Sequence, residues 1–283
     1  MNDGRMIADA DTAAAELGAP AGLAVGEVER IPGDPRAGAL ALCDHASNAI
    51  PPALRGLGLP ASELARHIAY DIGAAWLTRR LALRLGCPAL LSNFSRLLID
   101  PNRGLDDPTL VMRLSDGAVI PGNARLDSAG EAERVARYYR PYDEAIASNV
   151  AGAVAEGHPP ALISIHSFTP LWKGRARPWH VGLLWDIDGR VALPLLSALR
   201  QLEGVVVGDN EPYRGGLPGD VIDRHATRLG LPNVLVELRQ DLIDTPEKAA
   251  RWADILARPL APILAGLGQA AAPAPLPRRS ARA

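Results

Sequence analysis

The chain has 283 residues, 48% of them hydrophobic and 22% charged, which is enough to bury the core of one large domain. Its formal net charge of -2 offers no basic face to phosphate backbones or anionic lipid, so nucleic acid and membrane are set aside in favour of a small-molecule partner. Cys43 and Cys87 are too few for a secretory disulfide framework, and no run approaches the roughly 20 apolar residues of a membrane span, which reads as a cytoplasmic protein.

Residues 1 to 27 are rich in Ala and Gly without periodicity, and residues 268 to 283 are Pro-rich and basic; both are expected to be disordered tails around one domain spanning 28 to 267. The first β-like run, 39 to 43, ends in Asp44, His45, Ser47 and Asn48, an abrupt change to polar chemistry at a strand mouth. From Ser62 to about Leu85, Leu64, Ile68, Ile72 and Trp76 recur every four residues, which predicts an amphipathic helix. His67 and Asp71 would share a face of it, as a metal pair, as a carboxylate orienting a histidine, or as a plain surface ion pair.

A strand at 89 to 94 leads into "SRLLIDPNR", where Arg96 and Arg103 are candidate clamps for a carboxylate and Asp100 is a candidate internal partner for either. A helix over 128 to 156 should kink near Pro141. Strands at 161 to 166, 180 to 185, 205 to 208 and 233 to 239 then alternate with helices at 190 to 202, 219 to 229 and 245 to 265, the last opened by Thr245-Pro246-Glu247. This alternation predicts an α/β fold, a three-layer α/β/α sandwich with a central mixed sheet.

In such sheets ligands bind beyond the carboxyl ends of the strands. There the run 39 to 43 delivers His45, the run 161 to 166 delivers His166, with Ser167 beside it, and the run 233 to 239 carries Glu237. Imidazole is a favoured zinc ligand. An ionised glutamate inside an apolar strand is costly unless paired, so Glu237 is either the salt-bridge partner of Arg239 or a carboxylate aimed at a metal-activated water. No G-x-x-x-x-G-K-[ST], H-E-x-x-H or G-x-S-x-G occurs.

The ordered series "CDHASNAIP", "HIAYDIGA", "SRLLIDPNR", "IPGN", "ISIHSFTP", "RPWHVGLLW", "DNEPY" and "VELRQDLI" resembles the N-formylglutamate amidohydrolase family from about residue 28 to 265, in particular its shorter members. The resemblance implies a fold similar to zinc carboxypeptidases and to succinylglutamate or aspartate deacylases. It also implies a zinc-dependent hydrolysis of N-formyl-L-glutamate to formate and glutamate, in histidine degradation. Carried over by position, His45 and His166 look like zinc ligands and Glu237 like the general base. Asn102 and Arg103 resemble a carboxylate-holding pair, with Asn48 and Ser167 beside the substrate, and Arg96 either shares the clamp or polarises the scissile carbonyl. Carboxypeptidases place a glutamate where this chain has Asn48, so the third ligand is Asp71 or, second, Asn48. A deacylase of another N-acyl acidic amino acid or small peptide, and a carboxylate-binding protein without catalysis, are the competing readings.

Overall fold

The structure, a computed structural model, describes residues 22–267. Seven strands make one mixed sheet: β1 (Val28–Ile31), β2 (Ala39–Cys43), β3 (Ala89–Ser92), β4 (Ala161–Phe168), β5 (Val181–Leu184), β6 (Val207–Asp209) and β7 (Asn233–Arg239), in the spatial order β1-β3-β2-β4-β7-β5-β6. The four strands β3, β2, β4 and β7 run parallel to one another, so their carboxyl ends share one edge. β1 joins β3 antiparallel, and β5 joins β7 antiparallel.

The predicted three-layer sandwich follows from how the strands divide their side chains. Alternate residues point to opposite faces, so Ala39, Ala41 and Cys43 enter one core and Leu40 and Leu42 the other. The first core is covered by α1 (Ala74–Leu85), α4 (Ala192–Leu199) and α6 (Pro246–Leu267). The second is covered by α3 (Arg140–Ala155), which follows α2 (Ser128–Arg134), and by α5 (Val221–His225). Strands covered on both faces need apolar residues at nearly every position, and every residue of β2 and β4 is buried. The same parity decides the chemistry. Val234, Val236 and Leu238 face the first core, which turns Glu237 to the second face, where Ser164 and His166 of β4 also lie.

Three sequence expectations need correction. Residues 62 to 85 are not one helix: a single turn, Ala61–Leu64, is followed by turns, and α1 starts only at Ala74. Gly73 sets where α1 begins. Its φ is +81°, and a Cβ there would stand 2.0 Å from the carbonyl oxygen of Ile243, a close approach only glycine permits. β1 was not expected. Its Glu29 is buried and bridges to Arg79 of α1 through two 2.7 Å hydrogen bonds, so a strand with two charges in four residues still pairs. Residues 22–27, expected in the first tail, are engaged: Asn93 Nδ2 donates to the carbonyls of Leu23 and Ala24, and Gly26 N–H donates to Asn93 O. The remainder of that tail and residues 268 to 283 lie outside the described residues.

The kink at Pro141 takes a definite form. Residues Val135–Tyr139 make a wide turn in which Arg140 N–H reaches the carbonyl of Val135, because proline has no N–H for the carbonyl one turn before it. That widening sends the Tyr139 hydroxyl to the carbonyl of Arg103, 2.8 Å away, and the next turn sends that of Tyr142 to Asp44 Oδ1, 2.9 Å away.

Candidate metal centre

Beyond the carboxyl ends of β2 and β4, His45 Nδ1 lies 3.2 Å and His166 Nδ1 2.8 Å from the same oxygen, Asp71 Oδ2. The two rings are 4.9 Å apart at 72°, and all three residues are buried. Their ligand atoms lie within 4.8 Å of one another. The turns that replace the expected helix place Asp71: its N–H donates to His45 O, and Ser167 N–H donates to its Oδ2.

The opposite nitrogen of each ring is braced by a further buried carboxylate. His45 Nε2 meets Asp100 Oδ1 at 2.7 Å, and His166 Nε2 meets Asp44 Oδ2 at 3.0 Å. Both braces are themselves held. Asp100 Oδ2 receives Nε and Nη2 of Arg96 at 3.1 and 2.6 Å, and Asp44 receives the hydroxyls of Tyr142 and Ser164. With Nε2–H donated backward, each Nδ1 turns its lone pair toward Asp71, the arrangement in which outer carboxylates orient histidines for a metal.

Three converging acceptor atoms need positive charge between them. Asp44, Asp71 and Asp100 with Arg96 leave two negative charges in a buried space; one divalent cation or two protonated imidazoles would cancel them. The protonation tendencies agree. Burial would lower the pKa of His166, but its contacts with Asp44 and Asp71 hold it well above the ordinary histidine value. Burial would raise Asp71, but His45 and His166 hold it well below the carboxylate range. The donor set of two imidazoles and one carboxylate therefore fits a divalent metal, zinc included.

Glu237 stands beside this group, in register with His166 on the neighbouring parallel strand. Its Oε2 is buried and has no hydrogen-bond partner among the described residues, and burial pushes its pKa up to about 7. Arg239 is not its partner: that guanidinium pairs with Asp241 at 2.8 and 3.2 Å. The salt-bridge reading of Glu237 is thereby removed.

Other expected site residues are spent on protein contacts. Asn48 Nδ2 donates to Leu64 O, and the carboxylate grouped with the two histidines is that of Asp71. The Ser167 hydroxyl donates to Ile72 O. Asn102 Oδ1 receives Val221 N–H, while its Nδ2 is 3.5 Å from His166 Nε2. Arg103 has its carbonyl pinned by Tyr139 and Arg224, yet its Nε is 3.9 Å from Asp100 Oδ2, leaving the guanidinium loosely engaged. His67, off the helix, sits 3.7 Å from Asp116 and away from Asp71's group. His225 is buried against Asp143 at 2.6 Å.

The family model for N-formylglutamate amidohydrolase matches residues 37–244. The chain belongs to that family. Among solved structures, a gene product of Agrobacterium tumefaciens is 32% identical, with 85% of this chain and 96% of that one covered and a TM-score of 0.79. The N-formylglutamate amidohydrolase of Ralstonia eutropha is 22% identical, with 87% and 98% covered and a TM-score of 0.66, a likeness of fold. No curated protein matches the chain in sequence. The matched span of the family contains every residue of the metal group, both bracing carboxylates and Glu237. Among the described residues no helix is long and apolar enough to cross a membrane.

Proposed function

We propose that this amidohydrolase-family protein is a divalent-metal hydrolase of N-acyl amino acids, with N-formyl-L-glutamate as substrate and formate and L-glutamate as products. The observation that carries the reading is the pairing of a His45-Asp71-His166 donor group with a buried Glu237 oxygen on the adjacent strand that has no hydrogen-bond partner among the described residues. A divalent ion bound there, for which zinc is the proposed identity, supplies Lewis acidity toward the scissile carbonyl and toward water.

The chain's own residues supply the rest. Glu237 Oε2 accepts the proton of the attacking water and returns it to the departing amine nitrogen, a cycle suited to a carboxyl whose pKa burial has raised to about 7. The water oxygen bonds to the acyl carbon as the carbon–nitrogen bond breaks. Arg96 gives its fork to Asp100, so it contributes a fixed positive charge beside the reacting oxygen while holding the brace behind His45. Arg103, with a fixed backbone and a loosely held guanidinium, receives the substrate α-carboxylate, and Asn102 fixes the loop that presents it.

The test is a panel of N-formyl, N-acetyl and N-succinyl amino acids assayed for released amine, with zinc added and with the metal chelated. Zinc-dependent release from N-formyl-L-glutamate is expected. Release from N-acetyl or N-succinyl substrates alone would move the protein to another deacylase activity, and no release from any would leave a carboxylate-binding protein.

A further inference from the structure

Past the metal group, β4 continues to Phe168, which shares the face of His166 and lies in register with Arg239 of β7. There the chain leaves the sheet as a small hairpin, Leu171–Trp172 with Arg175–Ala176, and returns to Arg177. The hairpin overhangs the segment that carries Asp71: Trp172 meets the His67 ring edge-on at 6.3 Å.

The guanidinium of Arg177 is set among three aromatic rings, 5.6 Å from Phe168, 5.2 Å from Trp172 and 5.0 Å from Tyr213. Its Nη1 donates to the Tyr213 hydroxyl at 3.1 Å and reaches Thr169 Oγ1 at 3.4 Å. Among the described residues no carboxylate lies within ion-pair distance of it, whereas Arg96 is bound to Asp100. Rings that cover the faces of a guanidinium leave its N–H edge as the binding surface, and that edge matches a carboxylate. Arg239 anchors the turn from beneath by donating to Arg177 O. Burial raises the pKa of the Tyr213 hydroxyl, with Glu237 and Asp71 adding to the rise and the contact with Arg177 opposing it.

Arg103 lies in the loop after β3 that is tied to the start of α5, and Arg177 sits over the ends of β4 and β7. Arg103 is held only at 3.9 Å by Asp100, and Arg177 has no carboxylate within ion-pair distance among the described residues. We propose that Arg177, assisted by the Tyr213 hydroxyl, is the specificity-determining contact for a second carboxylate, the side-chain acid of an acidic N-acyl amino acid. The inference rests on the proposed function, since it names what selects the acidic members of that substrate class.

The product L-glutamate and its side-chain amide L-glutamine test it, because the two differ in the side-chain carboxylate alone. Calorimetric titration of both into the zinc-loaded wild type, Arg177→Ala and Arg177→Lys gives a preference ratio for each protein. Wild type is expected to favour glutamate, Arg177→Ala to cut that preference by about 10- to 100-fold, the worth of hydrogen bonds to a charged group, and Arg177→Lys to fall between. Wild type with no preference overturns the assignment, and so does Arg177→Ala weakening both ligands with the ratio intact, which marks a structural role. Assaying N-formyl-L-glutamate hydrolysis on the same wild-type preparation keeps the two claims apart. A glutamate preference without hydrolysis sinks the activity and leaves the arginine's role; hydrolysis without the preference sinks the arginine's role and leaves the activity.

Discussion

Glu237 is a buried acid whose nearest basic neighbour in sequence, Arg239, is engaged elsewhere, so its carboxyl is available to a proton. Glu237→Gln keeps the shape and removes the base: kcat is expected to fall about 10²- to 10⁴-fold while zinc content and melting temperature stay near wild type. A normal kcat in a folded, zinc-loaded variant would remove Glu237 from the mechanism. The braces behave differently. Asp44→Asn and Asp100→Asn leave the donor atoms in place but loosen the ring that each acid holds, which lowers metal affinity about 10- to 100-fold; competition against a chromophoric chelator measures it. Their pairing also shows why sequence understated them. Asp44 precedes His45 yet braces His166, and Asp100 was legible as a partner for an arginine but braces His45 as well. Chain neighbours were not spatial partners, and nothing in the local pattern carried that crossing.

At the scale of elements, the strands that frame the site were legible because two-sided burial leaves continuous apolar runs, and the segments 39 to 43 and 233 to 239 coincide with β2 and β7. The misread segment was 62 to 73, where four-residue apolar spacing survives in turns that bury Ile68 against the second core. Gly73 bounds that region at the start of α1, and its substitution has a definite expectation. Gly73→Ala imposes a Cβ on a +81° φ and on the Ile243 carbonyl, costing roughly 1–3 kcal/mol or more and displacing Asp71, so thermal midpoint and zinc affinity should fall together. A variant with both unchanged would show that the start of α1 is not set by this residue. The start of α5 gives a pH test. Asp220 caps that helix through Asp223 N–H, and burial raises its pKa from 3.8 to about 6. The folded state thus holds the proton more tightly, and the stability gained by protonation is lost as pH rises from about 4 through about 6. Asp220→Asn keeps the cap without the charge, so above pH 7 it should be more stable than wild type by on the order of 2–3 kcal/mol, with the difference shrinking toward pH 4. Urea unfolding of both proteins across that range measures it, and a pH-independent difference would contradict the assignment.

For the whole molecule, the metal group ties the turns before α1 to the ends of β2 and β4, so cation binding should be read out as global stability. Zinc at about 100 times its Kd is expected to add about 2.7 kcal/mol, seen as a higher melting temperature in wild type and as no shift in a His45→Ala/His166→Ala double variant. The mixed sheet and its two covered faces were legible from alternation of element types. The edge strand β1 was not, since its place is set by Arg79 fifty positions along the chain. The sheet order also has a consequence for how the protein is made. β4, buried at every position, lies between β2 and β7, and β7 is the last strand to be synthesised. Until the ribosome has released residues 233–239, the nascent chain exposes the hydrogen-bonding edge of a fully buried strand, with His166 awaiting Glu237. Translation that pauses in the preceding stretch would prolong that exposure and present a ready template for intermolecular strand pairing.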